Sequence, residues 1–302
     1  MHLTLLEAAL GAAAAIAVPL TAAGIMAGSP VDPAMQPAAT VVVGATTLDF
    51  PLPGEFLAVG TPAVAPVERA AVGAFQIMKR QVSLADYRRC VDEAACAAPD
   101  ARMVQADVPV TGVNWLDAQS YAQWYSKATR LTWRLPTAIE AAAAAAERFS
   151  GDAFSAAADD PANPAVRWIR RYREEAAAKR PPDPKPKPAG YYGANSKGVE
   201  DFAGNVWEWT STCYARTILG EDRDVVDSTE NCGVRVMEGR HRAYMSTFVR
   251  DGKSGGCAVG TPPENLGFRL VLEDRSAVAA AAARLRNLVD TIGTKIAQEN
   301  GK

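Results

Sequence analysis

A mixed α+β fold is the class this sequence predicts, and three observations carry it. Three helices are announced by polar residues at cap spacing: Ser83 with Asp86, Asn114 with Asp117, and Thr137 with Glu140. The run GVEDFAGNVWEWT, residues 198–210, breaks both the helical and the strand period at Gly204-Asn205, so it reads as a turn feeding a strand. Hydrophobic residues make up 48% of the 302 positions, enough for a substantial core.

In chain order, residues 8–27 hold no charge and match the length of a membrane span. They are alanine-rich, Pro19 interrupts them, and small residues at Thr21, Ala23 and Ala27 suit a signal-peptidase site. The expectation for residues 1–27 is an export signal, with an uncleaved membrane anchor or an alanine-rich helix as alternatives. Residues 28–52 read as a Pro/Ala-rich lead-in. Ser83 starts a helix that ends near Cys90. Asn114 starts a second, Trp115 to about Arg130, with Asp117 facing the helix dipole and Ala118, Tyr121, Ala122 and Tyr125 on one stripe. Thr137 and Glu140 form a capping box for a third, just after Pro136.

In the strand Val206–Thr210, Val206 and Glu208 share one face and Trp207 and Trp209 the other. The glutamate requires a partner: a cation, an arginine, or backbone donors. A last amphipathic stripe, Val278, Ala282, Leu285, Leu288, Val289, Ile292 and Ile296, marks a C-terminal helix over residues 274–302. The net charge of −2 gives no push toward nucleic acid or anionic membrane, so membrane contact is expected only through residues 8–27. Two histidines, His2 and His241, leave little room for a histidine-built metal site.

The motif GVEDFAGNVWEWT resembles the signature of the formylglycine-generating enzyme family, the sulfatase-modifying-factor domain, usually written GLYDMAGNVWEWTSD. Further anchors follow in the family's order: GEFLAVGTP, GAFQIMKRQVSLADYRRCVD, VPVTGVNWLDAQSYAQWYS, RLPTAIEAAAAAA and ENLGFRLV. The resemblance implies an α+β domain over residues 53–273, a variant of the C-type-lectin fold with little regular secondary structure. Residues 150–190 are then an insertion: a small polar stretch, a short basic helix serving as a solvated face or a partner-docking arm, and a polyproline spacer, PPDPKPKP. The family's PWG segment and first calcium site fall about here and have no counterpart. Its second calcium site maps onto the carbonyls of Ala203, Gly204 and Val206 and the carboxylate of Glu208, a set suited to a hard cation. The competing reading pairs Glu208 with an arginine such as Arg269. Where the family has a tryptophan in EWEYAAR, this chain has alanine, at Ala141, so another element must supply that packing.

Oxidase members of the family bind copper(I) through two cysteines spaced CxxxxC, soft ligands for a soft ion. The corresponding interval runs from the turn Met237–His241 to the strand at Asn265, and it contains only Cys257, with Gly252 where the pattern puts its partner. Copper is therefore not expected, nor is the oxidation of a cysteine to formylglycine. Of the five cysteines, export favours Cys90–Cys96 and Cys213–Cys232 as disulfides, with Cys257 a buried thiol or an alternative partner of Cys232. By resemblance, Trp209 and Asn265 line a substrate groove, where Arg242, Arg250 and Arg269 are placed to hold an anionic group, with a buried structural role the alternative for Arg269. The tail most resembles members encoded with copper nitrite reductases or acting in siderophore maturation. The function expected is that of an exported, periplasmic accessory or maturation factor for a protein client, with copper nitrite reductase among the candidates. A lectin-like binding module without chemistry is the alternative. A residual oxidase using Cys257 and His241 is the other.

Overall fold

The computed structural model describes residues 35–100, 105–152, 185–252 and 265–273. Three short helices and twelve strands are found there, an α+β arrangement dominated by strands. The expected leader at 1–27, most of the 150–190 insertion and all of the C-terminal helix lie outside these residues. Among the described residues no helix is long and apolar enough to cross a membrane.

The helices form where the caps place them. In α1 (Leu84–Asp92), Ser83 Oγ accepts from the Asp86 amide and donates to its carboxylate. In α2 (Trp115–Thr129), Asn114 and Asp117 exchange side-chain and backbone hydrogen bonds in a full capping box. The helix stops one residue earlier than the sequence suggests because Arg130 turns left-handed, at φ 58°. In α3 (Ala138–Ala145) the same reciprocal box joins Thr137 and Glu140. Ala141 sits in a core cluster with Val43, Val72, Ile77 and Phe202, which supply the packing a larger side chain would otherwise give.

The first six strands are β1 (Thr40–Val43), β2 (Thr46–Pro51), β3 (Glu55–Ala58), β4 (Thr61–Ala63), β5 (Val67–Val72) and β6 (Phe75–Met78). The others are β7 (Trp133–Arg134), β8 (Trp207–Leu219), β9 (Val225–Glu238), β10 (Ala243–Ser246), β11 (Leu266–Gly267) and β12 (Val271–Leu272). One sheet runs β1-β6-β12-β7, a second β10-β9-β8-β3-β4 with β11 parallel to β8, and β2 pairs with β5. The expected lead-in at 28–52 is corrected here. Residues 40–43 pair with β6 and residues 46–51 with β5, so this stretch belongs to the domain. Its β-branched run TVVV outweighs the Pro/Ala composition around it.

The tryptophan strand is also longer than its motif. β8 continues thirteen residues to Leu219 as one arm of a hairpin with β9, and a disulfide joins Cys213 to Cys232 across it. A second disulfide, Cys90–Cys96, closes the end of α1. The main core gathers Tyr87, Tyr121, Trp124, Trp133, Trp207, Trp209 and Phe268, with the Tyr121 and Phe268 rings edge-to-face at 5.4 Å.

Candidate functional site

The turn before β8 is built differently from what Gly204-Asn205 suggests. The left-handed residues are Asp201 (φ 59°) and Ala203 (φ 60°), not the glycine. Gly204 is required because a Cβ there would lie 2.7 Å from the Tyr192 ring. Asn205 accepts from the Lys187 amide and donates to the Lys187 carbonyl, at 2.9 and 2.8 Å, tying the 185–192 loop to the turn. Asp201, fully buried, accepts from the amides of Gly190 and Tyr192 on the same loop.

Two buried glutamates face each other across the start of the hairpin: Glu208 on β8 pairs in register with Glu238 on β9. Like charges directly opposite destabilise a sheet, and each glutamate has its own arginine. Arg269, just beyond β11, donates from Nε to Glu208 Oε2 at 2.5 Å and from Nη2 to Oε1 at 2.6 Å. Its remaining donors go to the carbonyls of Met78, Lys79 and Glu200. Gln81 adds a third donor to Glu208, at 2.8 Å.

At Glu208, where the resemblance places calcium, the carboxylate already has a counter-charge. The carboxylate is engaged by a guanidinium 0% exposed, and a divalent cation beside it would meet a like charge in a dry site. Carbonyls of Ala203, Gly204 and Val206 border the turn, but the residues present do not fit the ion.

Arg242 engages Glu238 less completely. Nε donates to Glu238 Oε1 at 2.8 Å and Nη1 to the Pro51 carbonyl at 2.7 Å, with Asp152 a further 3.7 Å ion-pair partner. Among the described residues, Glu238 Oε2 and Arg242 Nη2 have no hydrogen-bond partner. Burial, only partly offset by Arg242, pushes the Glu238 carboxyl up to about 7. Burial likewise raises Asp152, against the pull of Arg242. Burial also raises Tyr244, reinforced by Asp152, to which its hydroxyl donates at 2.7 Å.

Several expected site residues lie elsewhere. Trp209 is in the core, its indole N–H donating to the Val113 carbonyl, and so does not line a groove. Arg242 is 1% exposed, and the Glu238 pair excludes it from holding a surface anion. Arg250 is committed to Asp100 and Asp117, each at 2.8 Å. Asn265 is half-buried, and its carbonyl accepts from the Trp207 amide. His241 is buried edge-to-face against Trp207, and its Nδ1 lies 2.8 Å from the Arg242 carbonyl. Cys257 is outside the described residues, so its pairing with His241 is neither made nor broken here.

Sequence reasoning missed Glu238, Asp152 and Gln81. Asp152 and Gln81 find their partners on distant segments, which no local spacing marks. Glu238 stands only four residues before Arg242, a spacing that by itself announces no buried pair in a turn between strands. Cys213, Cys232 and the Glu230 carboxylate lie within metal-ligand distance of one another, but both sulfurs are in the disulfide and unavailable as thiolates.

The strand-rich α+β fold with its curled sheet is that of a C-type-lectin-like domain of the formylglycine-generating type. The chain belongs to the sulfatase-modifying factor family: the family model described as "Sulfatase-modifying factor enzyme 1-like domain" matches residues 32–274. It is 30% identical over 170 residues to the formylglycine-generating enzyme of Streptomyces coelicolor, covering 53% of this chain and 51% of that protein. It is 28% identical over 172 residues to a Mus musculus protein named inactive C-alpha-formylglycine-generating enzyme 2, covering 54% of this chain and 48% of that one. The chain thus spans about half the length of the curated relatives it matches. Among solved structures, PvdO from Pseudomonas aeruginosa superposes with a TM-score of 0.49 at 18% identity, covering 78% of this chain and 94% of that one.

Proposed function

We propose that this chain is a member of the formylglycine-generating family that does not carry out dithiol-copper oxidation. It acts instead as an accessory or maturation factor that binds a protein client in an oxidising compartment. One observation carries the reading. Four of the chain's five cysteines are joined in two disulfides, so Cys257 has no second thiol within the chain with which to hold copper(I). The similarity alone does not decide the matter, because a relative named formylglycine-generating enzyme and one named inactive match at nearly equal identity. The two disulfides support export to the periplasm, and a copper nitrite reductase is one client to assay.

The test is to incubate the purified chain with copper(I), oxygen, a two-electron reductant to carry the second oxygen atom to water, and a peptide bearing a sulfatase-type cysteine motif, and to look for the aldehyde by mass spectrometry. No aldehyde is expected. Aldehyde formation that disappears in Cys257→Ser would establish the residual oxidase instead. Affinity capture from periplasm, repeated at high ionic strength, then separates a dedicated protein client from a small ligand of a lectin-like module.

A further inference from the structure

We infer that Arg269 is the resident cation of the turn that opens β8, and that this turn closes without calcium. In the set of oxygens that the resemblance assigns to a metal here, the side-chain carboxylate is that of Glu208, and its Oε1 already takes two donors and its Oε2 one. The five N–H groups of a guanidinium match the five acceptors around Arg269: two carboxylate oxygens and the carbonyls of Met78, Lys79 and Glu200. The neighbouring acid, Asp201, is likewise engaged by two loop amides. Its carbonyl accepts from the Gln81 side chain, at 3.2 Å.

Arg269 thus reaches, from the strand end after β11, the oxygen types a hard cation would gather. It ties three segments together: residues 78–81, residues 200–208 and its own. The Phe202 ring lies 5.3 Å from the guanidinium and closes the site on another side. An ion can be removed by a chelator, whereas a side chain cannot, so the cation of this turn is permanent.

The experiment compares melting temperatures of the full chain in chelator and in excess calcium, for the wild type and for Glu208→Gln, with elemental analysis of bound calcium. The wild type is expected to melt at the same temperature in both conditions, and Glu208→Gln to melt lower by the same amount in both. A wild-type melting temperature raised by calcium, with the response abolished in Glu208→Gln, would overturn the assignment. Calcium that raises both proteins equally is bound elsewhere and leaves the role of Arg269 standing. Should Glu208→Gln fail to fold, terbium emission sensitised by Trp207 and Trp209 reads the same turn in the wild type. Absence of such emission supports the inference, and emission that calcium competes away overturns it.

Discussion

The two buried glutamate–arginine pairs stand side by side on one sheet, yet they are built to different standards. In Glu208–Arg269 every guanidinium donor finds an oxygen, and both carboxylate oxygens are bonded. In Glu238–Arg242 one oxygen and one nitrogen have no partner among the described residues, and a second carboxylate, Asp152, crowds the same arginine. Burial is nearly equal in the two, so the difference lies in how many acceptors the surrounding backbone brings. A buried ion pair is stable only when its remaining hydrogen-bonding capacity is met. The first pair is a structural tie. The second carries an ionisable group close to neutrality.

Arg269→Met gives the largest effect. It leaves Glu208 buried without its counter-charge, and a loss of about 3–5 kcal/mol in chemical denaturation is expected. Glu208→Gln and Glu238→Gln sharpen the contrast. At mildly alkaline pH the first should cost about 2–3 kcal/mol more than the second, because Arg242 keeps Asp152 as a counter-ion. Equal costs would erase the distinction drawn between the pairs.

pH separates the two regions next. Glu238 binds its proton more tightly folded than unfolded, since burial raises it to about 7 from 4.5. Its contribution is fully present below about pH 4.5 and is lost as pH rises through about 7. Folding stability, and the melting temperature with it, should therefore fall as pH rises between these values, by about 3 kcal/mol of unfolding free energy. That slope should flatten in Glu238→Gln and persist in Arg250→Lys. The smallest effect is Tyr244→Phe, which removes the hydroxyl that donates to Asp152 and accepts from the Gly54 amide. A loss of about 1 kcal/mol is expected in the same denaturation assay.

Local features were legible in the sequence and distant ones were not. All three helix starts could be read because a cap and its partner stand three residues apart, as Asn114 and Asp117 do. The strand at Trp207 was also marked, but its run to Leu219 depends on pairing with β9, which no short window shows. β1 and β2 were hidden by the proline and alanine around them. Arg269 could be named from sequence as an alternative partner of Glu208, but the contact itself joins residues 61 positions apart, which only the fold brings together. Trp209 shows the limit of a motif. Matching a family position fixes the residue type but not the direction the side chain faces, and this one turns into the interior, as does the nearby Arg242.

The non-oxidase reading depends on how many sulfurs are free, so the most direct measurement is a thiol titration of the chain, exported, purified without reductant and then unfolded. One reactive thiol per chain is predicted, disappearing in Cys257→Ser. Three thiols in the wild-type chain would mean that one of the two disulfides is open, leaving Cys257 with a possible second ligand and contradicting the account.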